Sequence, residues 1–476
     1  MEYLYVILFC LAAFLAAIAV TVSFGSVLHI SNKFGDKVLQ GLLILISVLI
    51  ALSAVISGRD LTHVGESINN LYNEDTGGGT LVIKSLTWMI VLLLLGILCD
   101  RIIKIRTNIK KKEINFGWLI LFILFVFTNG IISSIFGTYP KFSPGLLYPL
   151  IFLMILAVDS TWSPRELLSS IKLGILIIFL VGFAVLMAKP SLVLEGGVTG
   201  SLALLPFRYW GASPHANALG SMAVLYLLLE ILTPTSNKFW RLAGVIAAFI
   251  SIVLCQSKTA LLGLAFSLIC VWIVPTQRKP GISSNEPDIK SILKLLFIML
   301  LPVIIYITLF IAGYESKLDQ LLTSDAGKSI TTLTGRTRIW EVALTEWHNN
   351  PIFGYGPDLF SLEYRMRKGM LFAFHAHNQF IQSLAQSGLI GLFGLLLFLG
   401  IISFKLAMRA IVSKGVSLAL LAFLFIRCMT EVPLRSGDII SGEYLYLLAL
   451  VAIAMSSPTS LLALSSPVVP ATSDLK

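Results

Sequence analysis

Apolar stretches long enough to cross a lipid bilayer recur along the whole chain. Crossing about 30 Å of hydrocarbon takes roughly 20 residues of helix, and lipid offers no hydrogen-bond partner to an open backbone, so such stretches must be helical. Hydrophobic residues make up 57% of the 476 positions and charged residues only 13%. We therefore predict an all-α, polytopic integral membrane protein with about 12–13 transmembrane helices, near 3–23, 38–57, 85–103, 115–135, 145–159, 169–188, 217–232, 240–255, 259–275, 293–313, 382–404, 415–433 and 441–457.

The distribution of lysine and arginine orients these spans. The strongest basic run is 101–112, and counting spans from it places five other basic loops on the same side: Lys33/Lys37, Arg165/Lys172, Lys238/Arg241, Arg278/Lys279/Lys290/Lys294 and Lys405/Arg409/Lys414. Because cytoplasmic loops are enriched in these residues, this side is predicted to be cytoplasmic. The net charge of +10 then indicates contact with anionic lipid, and nucleic acid is not an expected partner.

Two other features restrict the class of protein. The five cysteines lie in or at the ends of apolar runs without paired spacing, which is typical of small core residues and not of a disulfide framework or metal site. The run 3–23 lacks a basic segment before it, so it is expected to be a retained span and not a cleaved signal.

Three longer segments fall on the side opposite the basic loops: 58–84, 189–216 and 314–381. In the last, apolar residues recur at helical spacing from Arg336 to His348, which predicts an amphipathic helix that ends before Pro351. A second short helix is predicted from a cap at Asp358 through Lys368, followed by Gly369. Both helices are expected to lie at the membrane interface.

Two arginines at the start of the first loop helix admit two interpretations. Arg336 and Arg338 could be solvated charges on an interfacial helix, or they could bind an anion. The planar guanidinium is suited to bidentate phosphate binding, and a helix N-terminus also favours anions. The residues alone leave both interpretations open.

A dense polar run around His375, His377 and Asn378 stands directly before a long apolar stretch. Two histidines two positions apart do not share a helix face, so a zinc motif is not expected here, and no metal site is predicted. The histidines could be interfacial imidazoles. Alternatively, His377 could act as a general base, oriented by a hydrogen bond from its neighbour Asn378.

Further polar residues are predicted on the same side. Arg208 and His215 precede the span near 217–232, and Lys258 lies in a short turn, where a snorkelling lysine is the simplest interpretation. Arg427 and Glu431 are four apart in one span, which suggests an ion pair along the helix or a role with substrate. The gathered cationic and imidazole groups favour an anionic, already activated substrate that arrives through the membrane.

Three motifs carry a resemblance to a known family. They are Gly335-Arg336 with Trp340, then Pro351-Ile-Phe-Gly354-Tyr-Gly356, then His377-Asn378 followed after nine residues by Gly388-Leu-Ile-Gly391. In this order and spacing they resemble the O-antigen ligase and polysaccharide polymerase superfamily, over roughly 200–400. The resemblance implies a multi-pass protein of the bacterial inner membrane whose site faces the periplasm. It also implies glycan transfer from undecaprenyl diphosphate to an acceptor hydroxyl, without a nucleotide sugar, a metal or another cofactor.

The resemblance implies roles for individual residues. His377 matches the motif histidine and Arg336 the loop arginine, so both are expected to be catalytic. Arg208 matches an arginine upstream of a Gly-X-X-Pro-like element, and Lys258 stands where many members have arginine. Substrate binding is therefore expected from Arg208, Lys258, Arg338, Asn378, His375, His215 and Arg365.

The predicted spans and the resemblance together divide the chain, and the resemblance implies a set of partners. Residues 1–199 are expected to form N-terminal transmembrane helices, 200–404 the ligase- or polymerase-like core with its loop, 405–458 further spans and 459–476 a cytoplasmic tail. The expected partners are an undecaprenyl-diphosphate-linked oligosaccharide, the lipid bilayer, a flippase and a chain-length regulator.

Several functions are compatible with this pattern. A polymerase of exopolysaccharide or O-antigen repeat units is favoured over a ligase acting on lipid A-core, because Arg365, Arg367 and Lys368 would suit a second anionic, diphosphate-bearing acceptor. A related branch glycosylates proteins. A polysaccharide or lipid transporter is the alternative from another class, but it should place carboxylates within its spans, where Glu230 and Glu431 are among the few candidates.

Overall fold

Helices dominate the computed structural model, which describes residues 25, 35–62, 78–107, 114–159, 162–196, 205–274, 336–371, 373–435 and 439–464. Within these ranges the helices are α1 (Gly35–Ile56), α2 (Gly78–Thr107), α3 (Phe116–Val126), α4 (Ile132–Phe136), α5 (Tyr148–Val158), α6 (Pro164–Ala188), α7 (Ala216–Leu232), α8 (Lys238–Cys255), α9 (Lys258–Ile273), α10 (Arg336–Asn349), α11 (Leu362–Arg367), α12 (Gln379–Met408), α13 (Val416–Thr430), α14 (Gly442–Met455) and α15 (Pro458–Leu464).

Short elements complete the secondary structure. A π-helical turn, Phe127–Ile131, joins α3 to α4, and 3-10 turns form at Pro144–Leu147 and Pro190–Leu192. Two strands of two residues each, β1 (Leu194–Glu195) and β2 (Arg208–Tyr209), pair antiparallel.

The predicted spans correspond closely to these helices. Six helices in the described ranges are long and apolar enough to cross a membrane: Gly35–Ile56, Leu81–Lys104, Phe116–Phe136, Pro164–Ala188, Lys238–Cys255 and Gln379–Met408. The predicted spans near 145–159, 217–232, 259–275, 415–433 and 441–457 coincide with shorter apolar helices. The remaining two, 3–23 and 293–313, lie outside the described residues. The all-α, polytopic membrane class is therefore confirmed.

Close helix crossings depend on small residues at the contact points. Gly394 of α12 faces Thr128 in the π-helical turn so tightly that a Cβ there would overlap the threonine side chain. Beside this crossing the rings of Phe125 and Phe398 stack with centroids 4.4 Å apart. Small residues let helix backbones approach and gain packing contacts, which is how membrane helices associate without a hydrophobic driving force.

Helix α12 is broken at Gly388, where the backbone adopts φ 66°. The groups that the break releases bond to the segment 351–356: the Leu389 N–H donates to Pro351 O at 2.9 Å, and the Tyr355 N–H donates to Ala385 O at 2.9 Å. Side chains at Gly354 or Gly388 would collide with the facing backbone. The motif at 351–356 and the glycine motif at 388–391 therefore contact each other, and this contact fixes the loop to α12.

The structure agrees with the predicted bounds of the first loop helix but not with the predicted start of the second. The first was predicted from Arg336 to His348 and is confirmed as α10, which ends at Asn349. The second was predicted to begin at a cap on Asp358, and that start is wrong, because Ser361 caps α11 while Asp358 pairs with Lys141 at 2.7 Å.

The apolar faces of the loop form a small core of their own. Ile339 and Ala343 of α10 pack with Tyr355 and Tyr364 of the loop and with Ala385 of α12. The buried face of α10 is therefore covered by protein.

Polar and charged residues mark the two ends of the bundle. At one end Arg101 pairs with Asp36 and Asp159, and Lys172 pairs with Glu230 near the end of α7 at 2.7 Å. Helix α7 begins at the opposite end, immediately after the cap residue His215. The second end carries the polar cluster described below.

Candidate active site

One carboxylate gathers polar side chains from distant parts of the chain. Glu431 lies directly after α13 with 11% of its side chain exposed. Its Oε1 accepts a hydrogen bond from Asn217 Nδ2 at 2.8 Å, and its Oε2 lies 3.1 Å from His377 Nδ1 and 3.5 Å from His375 Nε2. Arg336 Nη2 lies 3.9 Å from Oε1. These five residues are called the Glu431 cluster below.

The charge of Glu431 determines how His377 is held. Burial by itself would raise the pKa of Glu431, but the hydrogen bond from His377 and the charges of the histidines and Arg336 outweigh burial and lower the pKa to about 2. An ionised carboxylate only accepts hydrogen bonds, so His377 Nδ1 carries the proton of the neutral ring. His377 Nε2 is left with a lone pair, the form required of a general base.

The backbone of His377 is strained, with φ 49°. A residue other than glycine pays roughly 1–2 kcal/mol in the left-handed region. The segment is held there by its neighbours: Trp340 Nε1 donates to Ala376 O at 2.7 Å, and the Ala376 N–H donates to Gln382 Oε1 at 2.8 Å. Strain maintained by surrounding contacts is typical of functional sites.

His375 supplies a second, differently protonated imidazole. Its Nδ1 accepts the His377 N–H at 3.1 Å, so in the neutral ring Nε2 carries the proton and points towards Glu431. Burial, and then the charge of His377, lowers the pKa of His375 to about 3. His375 is therefore neutral at physiological pH and cannot take a proton at Nε2.

Three groups of the cluster could in principle surround a metal ion. The ligand atoms of His375, His377 and Glu431 lie within 4.8 Å of one another, which the sequence spacing did not suggest. Coordination through His375 Nε2 needs a lone pair on that atom, but the His377 N–H already requires the lone pair on Nδ1. The hydrogen bonding therefore fits a metal poorly.

Arg208 reaches the cluster through Asn217. From β2 it donates through Nη2 to Asn217 Oδ1 at 3.1 Å and through Nε to Cys255 O at 3.3 Å. Glu195 lies 3.7 Å from its Nη1. Arg208 thus orders the amide that binds Glu431 and keeps a partly exposed guanidinium at this end of the bundle.

Arg59 holds the backbone around this region, a role that the sequence did not indicate. Its guanidinium donates to the carbonyls of Leu192, Gly211 and Ser213 at 2.7–2.8 Å. Burial lowers the pKa of Arg59 to about 10, so it stays charged at neutral pH. One side chain therefore joins the segment after α6 to the segment that leads into α7.

The other residues expected to bind substrate occupy different surroundings. Lys258 is exposed in the first turn of α9, and its neighbour Thr259 bonds Thr430 at 3.2 Å, so Lys258 lies at the end of the bundle that carries Glu431. Arg338 is exposed on α10. Arg365 is buried in the loop, where it donates to Leu371 O at 2.7 Å and packs on the Phe374 ring.

Two local interpretations made from the sequence differ from the structure. Asn378 does not orient His377, because its side-chain oxygen caps α12 by accepting the N–H groups of Phe380 and Ile381. Glu431 does not pair with Arg427 along the helix, because Arg427 Nη2 bonds Glu443 at 2.8 Å. The carboxylate that contacts His377 is thus a residue for which the sequence suggested either an ion pair with Arg427 or a role with substrate.

Residues 243–396, about a third of the chain, match the family model described as O-Antigen ligase. This match supports the resemblance of the chain to the O-antigen ligase and polysaccharide polymerase superfamily. The match and the apolar helices together indicate a multi-pass bacterial membrane protein. The matched family supports ligase- or polymerase-type activity in general and implies a lipid-linked glycan as substrate. No curated protein matches the chain. The matched range contains Arg336, His375 and His377, while Asn217 and Glu431 lie outside it.

Proposed function

We propose that this protein transfers glycan from an undecaprenyl-diphosphate donor to an acceptor hydroxyl on the periplasmic side of the inner membrane. The observation that carries the proposal is the pairing of His377 Nδ1 with the ionised Glu431, 3.1 Å apart, beside the guanidinium of Arg336. A base with a fixed lone pair next to a cation suits the removal of a proton from a nucleophile and the departure of an anion.

The chemical step uses these groups in turn. His377 Nε2 takes the proton of the acceptor hydroxyl while that oxygen attacks the anomeric carbon of the donor sugar. The bond from that carbon to the diphosphate oxygen breaks, and the diphosphate leaves with the electron pair. Arg336 stabilises the negative charge that develops on the leaving group, and Glu431 stabilises the imidazolium that forms on His377.

The position of the basic loops supports the orientation of the site. Arg101 and Lys172 lie at the end remote from the Glu431 cluster, and basic residues mark the cytoplasmic side of membrane proteins. A periplasmic site would meet lipid-linked glycans and no nucleotide sugars.

The basic residues of the loop do not decide between a polymerase and a ligase. The expectation of a polymerase depended on Arg365, Arg367 and Lys368, but Arg367 donates to Tyr355 Oη at 2.9 Å and Lys368 pairs with Glu346 at 2.8 Å. These side chains are engaged within the loop. The matched family model is described as the ligase, so ligation to lipid A-core is a second proposal beside polymerisation.

Chemical analysis of the surface glycan of a deletion strain separates the branches. If the protein polymerises repeat units, the strain should retain single repeat units on the acceptor. If it ligates, full-length chains should accumulate on undecaprenyl diphosphate. Normal surface glycan, with neither defect, would contradict both forms of the proposal.

Exchanging Arg336 for lysine tests how the leaving group is bound. Arg336→Lys retains the charge but loses the bidentate contact that guanidinium offers to phosphate. We expect the initial transfer rate to fall by about tenfold or more, with a larger loss in Arg336→Ala. The measurement uses purified lipid-linked donor and protein in nanodiscs with EDTA present.

Arg241→Lys is the matched control, because Arg241 lies 3.5 Å from Glu230, near the end of the bundle remote from the Glu431 cluster. Equal rates for wild type and Arg336→Lys would remove Arg336 from the catalytic residues. Loss of wild-type activity in EDTA, restored by Mg²⁺, would show that a cation neutralises the diphosphate.

A further inference from the structure

The same local arrangement occurs twice around Glu431. In His215-Ala216-Asn217 and in His375-Ala376-His377, the first histidine accepts through Nδ1 the backbone N–H two residues later, at 3.1 Å in both cases. The third residue then donates to the carboxylate, Asn217 to Oε1 at 2.8 Å and His377 to Oε2 at 3.1 Å. Glu431 is thus held between two segments of equivalent geometry.

This arrangement determines the protonation of His215. The backbone N–H of Asn217 requires a lone pair on His215 Nδ1, so in the neutral ring the proton is on Nε2. Within the described part of the chain, His215 Nε2 has no hydrogen-bond partner, and the ring remains partly exposed.

The plane of the His215 ring is set by its neighbours. The ring packs against Trp210, with centroids 4.6 Å apart, and Trp210 Nε1 donates to Glu195 at 2.8 Å. The guanidinium of Arg59 lies over the indole ring of Trp210, 5.3 Å from its centroid. A donor N–H with a restrained orientation therefore stands beside the Glu431 cluster.

We propose that His215 Nε2–H is a neutral hydrogen-bond donor that binds an oxygen of the substrate, most directly a phosphoryl oxygen of the donor diphosphate. This inference rests on the proposed glycan transfer and adds a binding group to the same site. Arg208, which bonds Asn217, and Arg336, which lies 3.9 Å from Glu431, supply the positive charge, so the imidazole contributes direction and not charge.

Burial, more than the charges around it, keeps His215 neutral. Burial, followed by the charge of Arg208, lowers the pKa of His215 to about 4; His377 and Arg59 act in the same direction, while Glu431 acts against them. A neutral ring that already carries its proton on Nε2 cannot compete with His377 for the acceptor proton. A neutral imidazole acting as a donor is an established catalytic device.

Two substitutions distinguish the two roles of His215, as an N–H donor to substrate and as the cap of α7. His215→Asn retains an oxygen that can cap α7 but has no N–H at the distance of Nε2, and Asn is among the best capping residues. His215→Gln places an amide N–H near the position of Nε2 but loses the cap. We expect His215→Asn to fold with near-normal thermal stability and to transfer glycan at least about tenfold more slowly. His215→Gln should recover most of that loss.

Steady-state kinetics with the full-length protein in nanodiscs identify the substrate oxygen that His215 Nε2–H binds. A raised KM for the lipid-linked donor, with weaker inhibition by inorganic diphosphate, supports the phosphoryl oxygen. A raised KM for the acceptor alone supports the donor N–H but assigns it to an acceptor sugar hydroxyl. A wild-type rate in His215→Asn, or a loss in His215→Gln that exceeds it, overturns the proposal and leaves His215 as a cap.

A negative result for His215 can be told apart from a failure of the proposed glycan transfer. If His215→Asn does not fold, His215→Thr, a second capping residue without this N–H, takes its place in the same comparison. Should the donor not be a lipid-linked diphosphate at all, wild-type protein would fail with that donor, before any His215 variant is compared.

Discussion

Replacing His377 with asparagine should lower the initial rate of glycan transfer by about 10²–10⁴-fold, the usual contribution of a general base. The asparagine Nδ2–H can still reach Glu431, which accepts from His377 Nδ1 at 3.1 Å, so the local structure should persist. What disappears is the lone pair on Nε2. The measurement is transfer by purified protein in nanodiscs, with insertion and thermal stability checked at equal expression.

His375 provides the matched control for that experiment. His375→Asn retains an acceptor for the His377 N–H, which His375 Nδ1 accepts at 3.1 Å, and it removes an imidazole that is already protonated on Nε2. We expect a much smaller loss of rate than in His377→Asn. Wild-type activity in His377→Asn or His377→Ala would exclude His377 as the base.

Glu431→Gln should reduce transfer by roughly 10²-fold or more, since loss of the carboxylate that orients a catalytic histidine removes both the correct tautomer and the charge that stabilises the imidazolium. The glutamine retains the shape, so insertion should be unaffected. With the pKa of Glu431 lowered to about 2, the wild-type carboxylate stays ionised throughout the range in which the enzyme works. Protonation of Glu431 should therefore have no effect on the pH dependence of the transfer rate above about pH 5.

The stability effect of Glu431 has a definite sign. Because the folded-state pKa is depressed, the stabilisation is present above the unfolded value of about 4.5 and is lost as pH falls towards 2. Glu431→Gln should lack this acid-dependent part of the unfolding curve.

Glu443→Gln is the matched control, since Glu443 pairs with the buried Arg427 at 2.8 Å and touches no member of the Glu431 cluster within the described residues. It should lower thermal stability and leave the rate nearly unchanged. Equal losses of rate in the two variants would reduce Glu431 to a structural residue.

The sequence by itself determined the features that depend on near neighbours. Apolar runs of span length, such as Pro164–Ala188 and Gln379–Met408, must be helical in lipid whatever surrounds them. The amphipathic helix from Arg336 was equally readable, because one turn of helix relates residues three and four apart. Motif order then identified the superfamily and singled out Arg336 and His377, whose catalytic roles stay predictions.

Only the tertiary structure decided which groups meet. Spacing of four residues made Arg427 the natural partner of Glu431, but the helix ends before Glu431, whose backbone is extended at φ −147° and ψ −172°. The side chain therefore leaves the helix surface, and the i,i+4 geometry no longer applies. Its partners His377 and Asn217 are 54 and 214 residues away in the chain, and no local pattern records a contact that arises from packing α7, α12 and α13 against one another.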